Sequence, residues 1–384
     1  MRILELTTYS AGTCGVFARV REESIRLAKK GHKVAIFSTN HTKGSSEIAS
    51  SRDSLGSVSI TRFPAHKLGG ESFSSWKFDK EALAFNPDII ITHAYRHTHT
   101  TRALKIGNHL KIPVFLVTHA PFERSETRSL LSKIAVSFYD SFIARKKLNK
   151  FTKIIAITNW EIPYLLRLKI PKEKIAYIPN GIPEEFFKIK KAKTKEENKI
   201  LFLGRISPIK NLETAIKALP LINDKSIKLE IVGPTESNYL QKLKALIFSL
   251  NLANRVIFSH PILDIKEKIK KIDEARIFIL PSISEGMPQS LVEALARGKL
   301  VLASKNPGNS DLIQDSKYGF LFPVANAKAL ASLLDKTLSL SSSKAQKIKN
   351  TARLSVKQFV WPKIINKINK IIQSKNSDKI FINL

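Results

Sequence analysis

Residues 281–304 read PSISEGMPQSLVEALARGKLVLAS, and the fold class is decided there. The apolar run Ile277–Leu280 ends at Pro281, and a loop then carries Glu285 and Gly286. A helix opens near Pro288, holds Glu293 and stops at Gly298, and the apolar run Leu300–Ala303 follows. Two short, wholly apolar strands joined through one helix make a parallel strand–helix–strand unit. Glu285 and Glu293 are the only acids between Pro281 and Ser310, in a chain with 64 Lys plus Arg against 32 Asp plus Glu. A helix N-terminus with free N–H groups suits a diphosphate. Carboxylates on either side of it suit the hydroxyls of a sugar and a ribose.

A partner motif lies upstream. Gly204–Arg205–Ile206–Ser207–Pro208–Ile209–Lys210–Asn211 follows the strand Ile200–Leu203, and Asn211 is placed to cap the next helix. Gly204 permits close backbone approach. Arg205 and Lys210 put two cations at the carboxyl end of a strand, where open α/β sheets bind ligands, and two cations can neutralise a departing diphosphate. Further strands, Leu229–Val232 and Val256–Phe258, alternate with the helices Leu212–Leu219 and Tyr239–Leu250, and Ala327–Leu340 is helical.

The same alternation fills the N-terminal half: Ile3–Thr7, helix Val16–Lys30, Val34–Phe37, Val58–Ile60, Ile89–Ile91, Val114–Val117, Ile154–Ile157 and Ile175–Ile178. At roughly 150 residues per domain, 384 residues make two. The expected fold class is α/β, two doubly wound Rossmann-like domains facing a central cleft. Residues 1–187 form the N-terminal domain, the charged and apolar-poor 188–199 a linker, and 200–360 the C-terminal domain. Residues 361–384 form a helix and tail that pack back on the N-terminal domain.

Composition removes other classes. No apolar run approaches the ~18 residues of a spanning helix, the N-terminus lacks a signal-peptide pattern, and one cysteine, Cys14, suits a reducing, cytoplasmic compartment. The formal charge of +32 favours anionic partners. No RNA-recognition aromatic motif or zinc-finger spacing accompanies it, so nucleic acid is not the expected partner. The loop Ser10–Gly15 follows the first strand, but the second strand ends Phe37–Ser38–Thr39–Asn40 without the carboxylate that a nicotinamide dinucleotide needs.

GRISPIKN followed by SEGMPQSLVEALARG resembles the retaining family 4 (group 1) glycosyltransferases, whose fold is called GT-B. The likeness extends to PNGI at Pro179–Ile182 and to the segment Pro307–Pro323. It implies transfer of a sugar from a UDP-, GDP- or ADP-sugar to an acceptor hydroxyl, with no cofactor and no metal. Arg205 and Lys210 would bind the donor diphosphate, Glu285 the sugar and Glu293 the ribose. Backbone N–H groups from Gly286 through Met287, Pro288 and Ser290 to Leu291 mark the stretch that would assist, Pro288 itself contributing no N–H. His119 matches a histidine near the transferred sugar, and Gly12 and Gly15 match the first glycine-rich loop. Asp311 stands where the family more often has Glu, and Asn309 where it more often has Gly. A sugar-nucleotide epimerase or a phosphorylase of the same fold is the alternative reading.

Residues His93–Thr100 (HAYRHTHT) hold three histidines without a nearby carboxylate, a poor metal site. No acid occurs from Ile89 to Phe122, so His93 and Arg96, with Arg124 and Arg128, are expected to form an acceptor pocket suited to an anion. Lys133–Lys150 places Ile134, Phe138 and Phe142 at helical spacing and ends in Arg145, Lys146, Lys147 and Lys150. It reads either as a core helix with a solvated basic end or as a segment docking on an anionic membrane face. A lipid-linked or other anionic glycan acceptor would suit the second.

Overall fold

Two structural units divide the chain: Met1–Gly181 with Trp361–Leu384, and Ile182–Val360. The computed structural model describes all residues except 13, 68–73, 122–133, 135, 189–195, 263 and 381–384. The expected boundary at 187 moves to 181 because of backbone pairing. Ile182 bridges Val360, and its N–H donates to the Phe359 carbonyl at 2.8 Å. Phe186 is buried, and its carbonyl accepts from Arg297 at 3.1 Å. Residues 189–195 of the expected linker lie outside the described residues.

The first unit is built on β1 (Arg2–Tyr9), β2 (Lys33–Thr39), β3 (Arg52–Leu55), β4 (Val58–Phe63), β5 (Ala65–Lys67), β6 (Ser74–Trp76), β7 (Ile89–His93), β8 (Val114–Val117), β9 (Lys153–Ala156) and β10 (Ile175–Tyr177). Its main sheet runs β10-β9-β8-β7-β1-β2-β4-β3, parallel except for the edge strand β3, while β5 and β6 pair separately. Sequence reading missed β3, β5 and β6. β3 is polar and largely exposed, and the other two span three residues each, so none leaves a hydrophobic run. The central strands are apolar on both faces, as helices on both sides require.

The second unit carries β11 (Glu197–Leu203), β12 (Lys228–Val232), β13 (Val256–Ser259), β14 (Ala275–Leu280), β15 (Leu300–Ser304) and β16 (Phe320–Phe322) in the all-parallel order β13-β12-β11-β14-β15-β16. β11 starts at Glu197, ahead of the expected Ile200. The buried Lys199 is neutralised by Glu197 at 3.1 Å and Glu230 at 2.8 Å, which lets a charged segment extend a central strand. In both units the winding direction reverses beside the first strand, between β1 and β7 and between β11 and β14. Such reversal opens a crevice at the carboxyl ends of the two strands.

The loop after β8 is held by Glu161. This buried carboxylate accepts from Thr118 Oγ1 (2.5 Å), Ala120 N (2.7 Å), Ile157 N (2.8 Å), Thr158 N (3.1 Å) and Thr158 Oγ1 (3.1 Å). Burial raises its pKa, and these bonds oppose the rise. At the end of the unit, the helix Trp361–Ile380 begins against Gly181, where an added Cβ would lie 2.5 Å from the Trp361 indole.

Two outcomes are expected. Glu161→Ala strands several buried N–H groups and should destabilise the protein by about 2–5 kcal/mol, read as a lower urea midpoint. Gly181→Ala must push back a rigid buried ring and should cost about 1–3 kcal/mol in the same measurement.

Candidate active site

At the crevice of the second unit the chain leaves β11 through Gly204, whose N–H donates to Val232 O at 2.9 Å. Gly233, at the end of β12, comes so close that a Cβ there would lie 2.0 Å from the Gly204 carbonyl oxygen. The turn Pro208–Lys210 then delivers Lys210 Nζ to 2.6 Å from Glu285 Oε1, on the loop that leaves β14. Ser282 Oγ donates to the same oxygen at 2.6 Å. Ile283 N donates to Ile209 O at 2.8 Å and Asn211 Nδ2 to Pro281 O at 3.4 Å, which locks the two loops together. Asn211 does not cap the following helix with its side chain. Its backbone is left-handed (φ 49°), which turns the amide toward Pro281 instead. Arg205 is half exposed, with Nη1 3.4 Å from Glu236 Oε1.

The helix Gln289–Ala296 starts from Pro288 and buries Leu291 and Glu293. Met287 is also buried, while Gly286 and Ser290 are half-buried. Glu293 meets Lys268 Nζ at 2.5 Å. A second helix, Pro307–Leu312, abuts the same loop: a Cβ on Gly308 would sit 2.3 Å from Glu285 O and 2.4 Å from Gly286 O. Asn309 is buried, donating through Nδ2 to Ser304 O at 2.8 Å, and Asp311 is half-buried. Arg205, Lys210, Gly204, Glu285 and the 286–293 segment therefore gather at one end of one sheet. Sequence reading missed Ser282, Glu236, Lys268, Gly233 and Gly308. For the two glycines a signal existed in their place just after strand β12 and just inside a helix, and Ser282 lies only three residues before Glu285 on the same loop; Glu236 and Lys268 depend on contacts between distant segments.

In the first unit β1 and β7 lie side by side, and Glu5 Oε2 meets His93 Nε2 at 2.7 Å. His93 Nδ1 meets His119 Nε2, on the loop after β8, at 3.0 Å. Burial lowers His93 to about 4, pushes His119 well below the ordinary range and raises Glu5 to about 8. The loops around them are strained: Ala94, Arg96, His119 and Ala120 are all left-handed without being glycine. His97 Nδ1 bonds Thr8 Oγ1 at 2.9 Å and His99 Nε2 bonds His93 O at 2.8 Å, so these rings serve separate partners. Among the described residues no group of three or more His, Cys, Asp or Glu is placed to hold a metal ion. Gly12 is left-handed, and a Cβ there would strike Lys43 O at 2.3 Å; Gly15 begins the helix Gly15–Lys29, with open space at its Cβ position.

The acceptor-side expectations change. His93 is fully buried with both ring nitrogens engaged, so it supports His119 and presents nothing to a ligand. Arg96 is drawn to Asp140, with Nε 3.0 Å from Oδ1, and Nη1 donates to Pro121 O at 2.9 Å. Arg124 and Arg128 lie outside the described residues. The core-helix reading of Lys133–Lys150 is corrected: Ile134, Phe138 and Phe142 are 58%, 59% and 67% exposed, and the two phenyl rings lie 4.8 Å apart, tilted by 37°. Ala144 and Leu148 turn inward instead, while Arg145, Lys146 and Lys150 are exposed and Lys147 is half-buried. No helix among the described residues is long and apolar enough to cross a membrane.

Known proteins resemble this chain in sequence and in fold. Residues 14–186 match the family described as Glycosyltransferase Family 4, and residues 183–355 match Glycosyl transferases group 1. The alpha-monoglucosyldiacylglycerol synthase of Streptococcus pneumoniae is 27% identical over 343 residues, covering 84% of this chain and 75% of that protein. The amylovoran biosynthesis glycosyltransferase AmsK of Erwinia amylovora is 31% identical over 191 residues, which is 47% of this chain and 45% of AmsK. The crystal structure of Anabaena Alr3699/HepE in complex with UDP and glucose superposes with a TM-score of 0.74 at 17% identity, over 97% of this chain and 100% of that one. With both halves matched, the chain belongs to the family 4, group 1 glycosyltransferases and has their GT-B fold of two Rossmann-like units.

Proposed function

We propose that this glycosyltransferase is retaining and metal-independent, and moves a sugar from a UDP-, GDP- or ADP-sugar to an anionic, lipid-linked acceptor at the cytoplasmic face of a membrane. The observation that carries the donor half is the meeting of Lys210, Ser282 and Glu285 at the strand-order reversal of the second unit. Lys210 and Arg205 bind the donor diphosphate there, and the N–H groups at the start of the helix Gln289–Ala296 add to its field. Glu285 holds sugar hydroxyls and Glu293 the ribose. The acceptor hydroxyl attacks the anomeric carbon from the face the diphosphate leaves; the C–O bond to the diphosphate breaks, and its oxygen takes the acceptor proton. Arg205 and Lys210 stabilise the charge that builds on that oxygen, work for which no metal is needed. The UDP and glucose held by the Anabaena neighbour agree with this class of donor.

The acceptor half rests on the exposed pair Phe138 and Phe142 beside Arg145, Lys146 and Lys150. Rings that insert shallowly, next to cations that attract acidic head groups, suit a surface on which a lipid acceptor is held. The pneumococcal relative, named for a glucosylated diacylglycerol, points the same way.

Arg205→Ala and Lys210→Ala should each lower kcat by about a hundredfold or more with a working nucleotide sugar. Near-wild-type turnover in both overturns the donor assignment, and activity that vanishes in chelator and returns with Mg²⁺ or Mn²⁺ overturns metal independence. In liposome sedimentation the protein should pellet with anionic vesicles at low salt and be released as salt rises, because exposed charges are screened within about 8 Å at physiological ionic strength. Phe138→Ser with Phe142→Ser should stay in the supernatant. Wild-type protein that never pellets removes the membrane reading.

A further inference from the structure

The chain of side chains behind His119 is more than packing. Glu5 is a single acid inside the apolar strand β1, flanked in the sheet by Ile36 and Ile91. Its Oε2 meets His93 Nε2 at 2.7 Å, and His93 Nδ1 meets His119 Nε2 at 3.0 Å. The geometry points to Glu5 and His93 as positioning residues for His119, forming a proton relay that sets whether His119 Nδ1 donates or accepts a hydrogen bond. The relay deepens the proposed function and rests on the family resemblance that would set His119 beside the transferred sugar.

A neutral imidazole has one N–H and one bare nitrogen, so the links cannot reverse independently. With Glu5 protonated, its O–H donates to His93 Nε2, His93 Nδ1–H donates to His119 Nε2, and the His119 proton sits on Nδ1 as a donor. When Glu5 ionises, each proton steps one place along. The Glu5 proton passes to His93 Nε2, that of His93 Nδ1 passes to His119 Nε2, and that of His119 Nδ1 leaves to solvent base. His119 Nδ1 is then bare and accepts. One proton is lost, and no ring carries a charge in either state.

The surroundings favour the neutral acid. Arg19, on the helix Gly15–Lys29, meets Glu23 on the same helix at 3.0 Å, and burial together with the nearby Glu5 raises the Glu23 carboxyl as well, so two buried acids share one cation and ionising both is disfavoured. His97 and His99, after β7, are held neutral by burial, at about 4 and about 3. Glu5 Oε1 has no hydrogen-bond partner among the described residues, a heavier penalty for a carboxylate than for a carboxylic acid. Burial, opposed by the attraction of Arg19, places the Glu5 titration near pH 8.

The test is imidazole nitrogen NMR on the full chain labelled at histidine, with His119 assigned by the signals lost in His119→Asn. In the wild type the His119 N–H should sit on Nδ1 at pH 6.5 and on Nε2 at pH 9.5, exchanging near pH 8. Glu5→Gln cannot ionise and should abolish that exchange while leaving the thermal unfolding cooperative. A wild-type His119 that keeps one tautomer throughout overturns the relay, and that titration needs no variant to fold. A Glu5→Gln protein that follows the wild-type curve overturns it equally. A tautomer exchange that persists while Arg205→Ala and Lys210→Ala turn over normally upholds the relay and removes the donor-site assignment of the proposed function, so the two failures are distinguishable.

Discussion

Side-by-side parallel strands whose connections lead away in opposite directions leave a gap at their carboxyl ends, because no connecting helix covers it. Both units obey this constraint beside their first strand, and the chemistry follows from it. In the second unit the gap brings the loops after β11 and β14 together, and the Lys210–Glu285 pair closes it. In the first it brings β1 and β7 together and lets Glu5 reach His93. Placing another strand between the members of either pair would separate these groups while leaving every local element intact.

Supporting contacts are built to hold the loops rather than to touch a ligand. Glu161 satisfies three backbone N–H groups around Thr118–Ala120 and Ile157–Thr158, which sustains the left-handed backbone of His119 and Ala120. Gly233 and Gly308 permit carbonyl oxygens of neighbouring loops to approach where any side chain would collide. The strain in one set of loops and the close approach in the other are two ways of fixing geometry without large side chains.

The sequence made the strand–helix alternation legible because central parallel strands are apolar throughout and leave a clear pattern. Glu285, Glu293, Arg205 and Lys210 were legible for another reason, as rare acids and paired cations next to strand ends. What stayed hidden depends on pairing across the sheet. That Lys268 answers Glu293, Asp140 answers Arg96, and His93 faces inward follows from strand order, which no local spacing encodes. The polar edge strand β3 left no hydrophobic trace. Ile134, Phe138 and Phe142 showed the opposite difficulty: helical spacing revealed a common face without revealing that it points to solvent.

Glu5, Glu23, Glu161, Glu230 and Glu293 are all buried. Arg19, Arg62, Lys199 and Lys299 are buried with them, so the inward charges nearly cancel and the formal +32 is carried almost whole by the exterior. A polyanion approaching from solution meets an attractive field well before contact, and diffusion is biased toward encounter. The frequency of arrival is thereby set by the whole surface, whereas the duration of each visit is set by a few loops. Changing outlying lysines would alter the first while leaving the second untouched.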